Sequence, residues 1–313
     1  MFDVACVGIL VADVIAKPVD KIPGPGLLER ISSIETFSGG CAMNAGVDMA
    51  KIGIDVALLG KVGKDSFGDF LISELDKYGV NSDGVVRDSE NQTSASIVLS
   101  ASNGERSFLH TVGANKTFCY DDVNWDIIEK SKIVFVAGTM LMDKFDGEDC
   151  ARVLKRAKEM GKITVLDTAW DSTGRWMDVL APSMPYIDVF LPSIDEAIEL
   201  AGGLTEPREI ADKFFEMGAK SVVIKLGSKG CYLRETVSSP EVVIPCFKAN
   251  AVDTTGAGDS FCAGFISGMV KELPFEECGR LANAVGAHCV SAKGASTGIV
   301  SYDKLCEFIK ANS

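Results

Sequence analysis

The sequence predicts an α/β fold, a mostly parallel sheet covered by helices on both faces and carrying a small β-lid. Three observations predict it: short apolar runs bounded by Gly, Pro or Asp recur along the chain, helical patterns lie between them, and two segments break that rhythm. The runs Asp3–Ile9, Val56–Gly60, Ile133–Gly138, Ile163–Asp167, Val189–Leu191 and Val222–Leu226 read as strands, because continuous apolar stretches suit strands buried on both faces. Phe67–Lys77, Asp149–Met160, Asp195–Ala201, Pro207–Met217 and Phe275–Val290 carry helical periodicity. This alternation implies parallel crossovers and places ligands beyond the carboxyl ends of the strands. The interruptions are residues 13–38, with Pro18, Pro23 and Pro25, and residues 93–112, where TSASIVLS, a turn at Asn103-Gly104 and RSFLHTV read as a hairpin. They form the expected lid, although a plain extension of the sheet fits the same pattern. With no internal repeat, low-complexity tract or interdomain linker, residues 1–313 read as one domain.

Composition narrows the partners. The 313 residues are 47% hydrophobic, enough for a substantial core, and 31 Lys plus Arg against 44 Asp plus Glu give a net charge of −13. Nucleic acid and anionic membranes call for a basic face, so neither is an expected partner. A small anion is still compatible, since clustered backbone N–H groups outweigh global charge locally. No apolar run reaches the ~20 residues that span a bilayer, and the N-terminus has no basic leader region. Ten scattered cysteines without a C-x-x-C pair read as free thiols in a reducing cytoplasm, and His110 and His288 offer little for a metal site or catalytic triad.

The most informative string is Asp253-Thr254-Thr255-Gly256-Ala257-Gly258-Asp259-Ser260-Phe261. Glu241–Phe247 reads as a strand before it, and Ala257, Phe261, Ala263, Gly264 and Phe265 continue into an apolar helical face, so the glycine turn opens a helix. Free N–H groups at a helix start, unobstructed at Gly256 and Gly258, suit a phosphate group. A carboxylate beside bound phosphate is out of place unless it takes a proton from an attacking hydroxyl, which points to Asp259. Taken alone, the fragment also reads as a tight turn with Thr255 or Asp259 as helix cap. Other nucleotide motifs are missing: there is no G-x-x-x-x-G-K-[ST], and no G-x-G-x-x-G after the first strand.

The longer string DTTGAGDSFCAGF resembles the second signature of the ribokinase-like, or PfkB, carbohydrate kinases. Gly39-Gly40-Cys41-Ala42-Met43-Asn44-Ala45-Gly46, with Ala50, Gly53 and the run Gly60–Gly68, resembles the first signature and its sequel. Further likeness extends over Gly8–Asp13, Gly104–Arg106, Gly113–Asn115, Leu191–Glu196 and Lys225–Gly230. The resemblance implies a ribokinase-like three-layer sandwich whose lid closes over a sugar and packs against a second subunit as a homodimer. It also implies ATP and Mg²⁺.

Carried over residue by residue, the resemblance makes Asp259 the catalytic base and Gly256, Ala257 and Gly258 the anion hole around the transferred γ-phosphoryl. Asp13, Gly39, Gly40 and Asn44 become sugar-binding residues, chemically apt because sugar hydroxyls both donate and accept. Read alone, Asp13 is a strand-end cap and Asn44 a helix-start residue; beside both signatures the sugar-binding reading is favoured. Asp167, within the segment Asp167–Trp176, is expected to face the sugar or the nucleotide's metal, and Trp170 and Trp176 to pack. Asp253 and the Thr255 carbonyl, with the Lys293–Ser296 turn, resemble a monovalent-cation site of the K⁺ kind. Gly227 and Gly230 fall in the nucleotide loop; Asn283 aligns near the adenine or is a polar residue on an exposed helix face.

Three departures stand out. Ser193-Ile194-Asp195-Glu196 replaces the family's Asn-x-x-Glu, leaving Glu196 as an indirect Mg²⁺ ligand. Lys225 stands where ribokinases tend to have threonine, and either pairs with an ATP phosphate or reaches solvent. Val11 replaces an Asn, which weakens the case for ribose. The sequence thus reads as an ATP-dependent sugar kinase. Alternatives are a nucleoside kinase of the same fold, for which Phe37 and Phe108 are the nearby lid aromatics, a kinase acting on a phosphorylated sugar, or a non-catalytic sugar sensor.

Overall fold

The computed structural model describes residues 1–312 and divides the strands between two sheets. The larger has nine strands in the order β13 (Val242–Ile244), β12 (Cys231–Arg234), β11 (Ser221–Lys225), β10 (Val189–Phe190), β9 (Ile163–Thr168), β8 (Ser131–Thr139), β1 (Phe2–Gly8), β4 (Val56–Gly63) and β5 (Asn81–Asp88). Pairing is parallel from β11 through to β5; only β12 runs the other way, antiparallel to both β11 and β13. The smaller sheet is ordered β3 (Ser33–Gly39), β2 (Val11–Lys17), β6 (Ala95–Ser100) and β7 (Arg106–Thr111).

Four short 3₁₀ turns and ten α-helices complete the described chain: α1 (Cys41–Ile52), α2 (Ser66–Lys77), α3 (Trp125–Glu129), α4 (Glu148–Glu159), α5 (Met177–Leu180), α6 (Ile194–Leu200), α7 (Pro207–Glu216), α8 (Ala257–Val270), α9 (Phe275–Val290) and α10 (Tyr302–Ala311). Because side chains alternate across a strand, β1 feeds two cores. Val4 and Cys6 pack with Leu58, Phe135 and the α8 residues Phe261 and Phe265, while Ala5 and Val7 pack with Val134, Val136, Leu154 of α4 and Phe214 of α7. Helices therefore cover both faces, as the unbroken apolar strands require.

The small sheet leaves the large one at short, buried crossings. Ile9 and Leu10 separate β1 from β2, and Gly40 separates β3 from α1. The Asn115 side chain clamps Leu10 on both backbone groups, donating from Nδ2 to its carbonyl at 2.9 Å and accepting from its N–H at 3.4 Å. Asp65, the N-cap of α2, also accepts from the Thr93 N–H at 2.7 Å and the Thr93 hydroxyl at 2.7 Å just before β6.

The expected strands and helices are present with ends shifted by a few residues, and Phe275–Val290 spans α9 as read. The hairpin is β6–β7, with Gly104 in the left-handed region at φ 87°. The 13–38 interruption contains most of β2 and of β3, joined by the proline-rich stretch. Sequence periodicity missed β5, whose NSDGVVRD lies at the sheet edge with few apolar positions, and β12, masked by the glycine-rich turn before it. Among the described residues no helix is long and apolar enough to cross a membrane. All ten cysteines are free.

Candidate active site

A cavity of about 940 Å³ opens at the carboxyl ends of β9, β10 and β11, against the start of α8. Asp167, Glu196, Lys225, Gly227, Gly230, Gly256, Ala257, Gly258, Asp259 and Asn283 all line it. Ten of the sequence-predicted site residues, separated by up to 116 positions, thus share one space.

The turn before α8 is built for close approach. Gly256, the N-cap, has φ 78°, and a Cβ there would lie 2.5 Å from the Ala295 Cβ. Gly258 is open except for Lys225, whose Nζ would lie 3.5 Å from an added Cβ. Ala257 N–H bonds back to Thr254 O at 3.2 Å and Ser260 N–H to Gly256 O at 2.8 Å, leaving the first-turn N–H groups of Gly258 and Asp259 without an intrahelical partner. The positive end of α8 and an ammonium group therefore converge on Gly258, an arrangement that attracts an anion.

Asp259 lies half-buried in the first turn of α8. Asn44 of α1 donates from Nδ2 to its Oδ2 at 2.8 Å across 215 positions. Burial raises the Asp259 pKa, partly opposed by the Asn44 bond and the charge of Lys225. Cys41, at the start of α1, lines the same cavity; burial, followed by the Asp259 charge, pushes its thiol well above the ordinary range. One turn further along α1 and one residue further along α8, the Ser260 hydroxyl donates to Asp48 Oδ2 at 2.5 Å, while Asp48 Oδ1 is buried without a partner. Asn44–Asp259 and Asp48–Ser260 are thus two polar rungs between α1 and α8.

Lys225, at the end of β11, is 9% exposed and donates to Asp167 Oδ1 at 2.7 Å. Burial works against its charge, but the carboxylates of Asp167 and Glu196 outweigh this and raise its pKa. Asp167 also accepts from the Thr168 N–H at 2.9 Å and the Cys262 thiol at 3.3 Å. The Asp167 carboxylate, expected to face sugar or metal, is therefore turned onto Lys225 and α8, and Lys225 is drawn inward toward Gly258 instead of reaching solvent. Cys262 escaped the sequence reading, yet it lies three residues after Asp259, on the same helical face.

Ser193 and Glu196 form a capping box at α6: Glu196 N–H reaches Ser193 Oγ at 3.4 Å and Ser193 N–H reaches Glu196 Oε2 at 2.9 Å. Ser193 thus has a local structural role. The Thr168 hydroxyl donates to the same Glu196 oxygen at 3.1 Å, and Glu196 lines the cavity. Asn283 is buried, not on an exposed face, and its Nδ2 donates to Ile244 O at 3.1 Å and Pro245 O at 3.2 Å, bracing the cavity wall. Gly230, at φ 96°, is required because a Cβ would lie 1.9 Å from Ile244 O.

Of the residues expected on the sugar side, Asp13 and Gly39 lie on the small sheet, Gly40 links it to α1, and Asn44 lies in α1. Asp13 pairs across β2 with Phe37 and Ser96, and Ser96 with His110, so these four share one face. Ser96 Oγ lies 3.1 Å from His110 Nδ1. Burial raises the Asp13 pKa, with a Ser96 hydrogen bond opposing it. Gly39 and Gly40 are dictated sterically: a Cβ would lie 2.3 Å from Asp13 Oδ2 and 2.5 Å from Ile9 O respectively. Asp253 and Thr255 lie just before the Gly256–Gly258 turn. Asp253 Oδ1 accepts from the Thr255 N–H at 3.1 Å and hydroxyl at 2.7 Å, and Oδ2 from Gly294 N–H at 3.2 Å. The Cys289 thiol meets both the Thr255 carbonyl at 3.5 Å and the Ala295 carbonyl at 3.1 Å, which brings those two oxygens close together.

This fold is shared with solved ribokinase-type enzymes. Ribokinase of Arabidopsis thaliana, complexed with ribose and ATP, matches at TM-score 0.86 and 27% identity over 99% of each chain. A nucleoside kinase of Methanocaldococcus jannaschii, an archaeal member of the ribokinase family, matches at TM-score 0.82 and 25% identity, again over 99% of each chain. Fold and glycine turn together define a ribokinase-fold phosphotransferase, and the expected three-layer sandwich with a separate small sheet holds. Residues 1–301 match the description "pfkB family carbohydrate kinase", and the chain belongs to that family. An uncharacterized sugar kinase of Archaeoglobus fulgidus is 32% identical over 251 residues, covering 80% of this chain and 97% of the relative.

Proposed function

We propose that this carbohydrate kinase transfers the γ-phosphoryl group of ATP to a hydroxyl of a small sugar or sugar-like alcohol, with Asp259 as the base. The observation that carries the reading is the convergence of the α8 N-terminus, Lys225 and the half-buried Asp259 on one cavity. Asp259 accepts the proton of the attacking hydroxyl, and its raised pKa makes it a better base than an ordinary aspartate. Asn44 aims the carboxylate. The N–H groups at Gly256, Ala257 and Gly258 and the Lys225 ammonium hold negative charge on the transferred group, which is most of what such chemistry needs. Asp13, Gly39 and Gly40 position the acceptor beneath the small sheet, which acts as lid.

Gly227, Gly230 and the wall braced by Asn283 enclose the nucleotide. Glu196, which lines the cavity and has one oxygen fixed by Thr168 and Ser193, fits a water-mediated role toward Mg²⁺, which would supply charge neutralisation on the phosphates. The adjacent Thr255 and Ala295 carbonyls with Asp253 fit a K⁺ ion beside the turn. The ten free thiols suit a cytoplasmic location. On the far face of the lid, Ile34, Ile97 and Leu109 are 68%, 46% and 64% exposed, which supports a homodimer through the lid.

A nucleoside acceptor is the second reading. Phe37 and Phe108 lie on the same lid face as Asp13, where they flank a planar base as readily as a sugar. The test is ADP release from Mg-ATP across pentoses, hexoses, keto-deoxy acids, inositols, nucleosides and sugar phosphates, with Asp259→Ala alongside. Turnover of one acceptor by the unmodified protein only is expected; silence across the panel, despite stabilisation by a sugar, would favour a non-catalytic sensor.

A further inference from the structure

Arg106 begins β7, at the hairpin tip of the lid, and points from the same face as Phe108, His110 and Asp13. Its guanidinium reaches across the cleft to the phosphate turn: NH1 donates to Thr255 Oγ1 at 3.3 Å and NH2 to Asp253 Oδ2 at 3.4 Å, over 149 and 147 positions. These partners are themselves organisers. Asp253 fixes Thr255 through both its N–H and hydroxyl and fixes Gly294, and the Gly294–Ala295 stretch presses against Gly256. The lid tip therefore touches the hub that sets the position of the Gly256–Gly258 amides.

We propose that Arg106 is a positioning residue that couples closure of the lid to assembly of the phosphate turn, resting on the kinase reading given above. With the lid down, the planar guanidinium ties Asp253 and Thr255 together, as a two-pronged donor does better than a point charge. With the lid up, the turn loses its outermost brace, so the anion-holding amides are held in place while the Arg106 contact lasts, and an acceptor that keeps the lid closed prolongs it. This favours transfer to the acceptor over transfer to water. Arg106 is 39% exposed, and ion pairs at such sites are weak, which suits a contact made and broken in every cycle.

The test combines hydrogen exchange without ligand and kinetics of Arg106→Ala and Arg106→Lys. In the alanine variant, amides of residues 254–258 should exchange faster while β1 and β8 keep their protection, which shows that the fold is intact. With Mg-ATP and the acceptor found in the panel, kcat should fall about tenfold or more, as expected when a positioned group is displaced, with the KM for ATP within about twofold. ADP formed per phosphorylated product should rise above one. The lysine variant, keeping charge without the fork, should fall between. Unchanged exchange at 254–258, or unchanged kcat, overturns the proposal. Faster exchange in a protein whose parent phosphorylates nothing in the panel supports the contact and overturns the kinase reading alone.

Discussion

Asp259, the proposed base, is held in a state that costs stability. Its pKa is raised by burial, so the folded chain binds its proton more tightly than the unfolded chain, and the stability linked to that proton is lost as pH rises through the folded value. Asp259→Asn should therefore leave the melting temperature at pH 8 equal or higher while lowering kcat by about 10²–10⁴-fold; a calorimetric scan beside the kinase assay checks both. For the unmodified enzyme, kcat/KM should fall on the acid side with a midpoint above the ordinary aspartate value of about 3.9. Asp48 obeys the same sign. Burial raises its pKa to about 7, with the Ser260 bond opposing, and one of its oxygens has no partner. Its contribution is present at low pH and lost as pH rises toward 7, so Asp48→Asn should raise the melting temperature at pH 8 by about 3 °C or more, and by less at pH 5. Lys225 is the opposite case. Lys225→Met strands Asp167 as a buried unpaired charge and should cost about 3–5 kcal/mol in a denaturant titration, with much of that recovered in the Lys225→Met, Asp167→Asn double variant.

Elements differ in how far local sequence determines them. β1, β8 and β11 are apolar throughout because they are buried on both faces, and α9 is bounded by Pro274 before its first turn and by Ser291 after its last. Such segments are readable from neighbouring residues alone. β5 is not, since its edge position lets Asn, Asp and Arg occupy a strand whose register depends on β4. The site divides in the same way. The glycine turn and Asp259 lie within one string, so their chemistry is legible there, and Ser193 with Glu196 likewise form a local cap. The Lys225–Asp167 pair, the Asn44–Asp259 bond and the Arg106 contacts join positions 58, 215 and about 150 residues apart, and no local pattern specifies which charges will meet. Gly39 belongs between these cases: its sequence context suggests a loop, but only the Asp13 carboxylate packed against its α-carbon shows why no side chain fits. Gly39→Ala should accordingly raise the acceptor KM by about tenfold or more with little change in the KM for ATP, measured by varying each substrate in turn.

At the scale of the molecule, the two sheets have unequal surroundings. The large sheet is covered on both faces, whereas the small sheet has one face toward the cleft and leaves Ile34, Ile97 and Leu109 in the open on the other. Ile97→Lys should reduce a lid-mediated dimer to monomers, as read by light scattering behind size exclusion, without changing the fold seen by circular dichroism. The short crossing at Ile9–Leu10, clamped by Asn115, has a mechanical consequence. A six-residue strand such as β7 extends roughly 20 Å, so the lid is a stiff lever with its pivot at the buried end and Arg106 at the tip. A tilt of about 10° at such a pivot sweeps the tip through roughly 3.5 Å, as far as a hydrogen bond is long. The geometry acts as a gear, converting an angle too small to disturb the core into full engagement or full release at the phosphate turn.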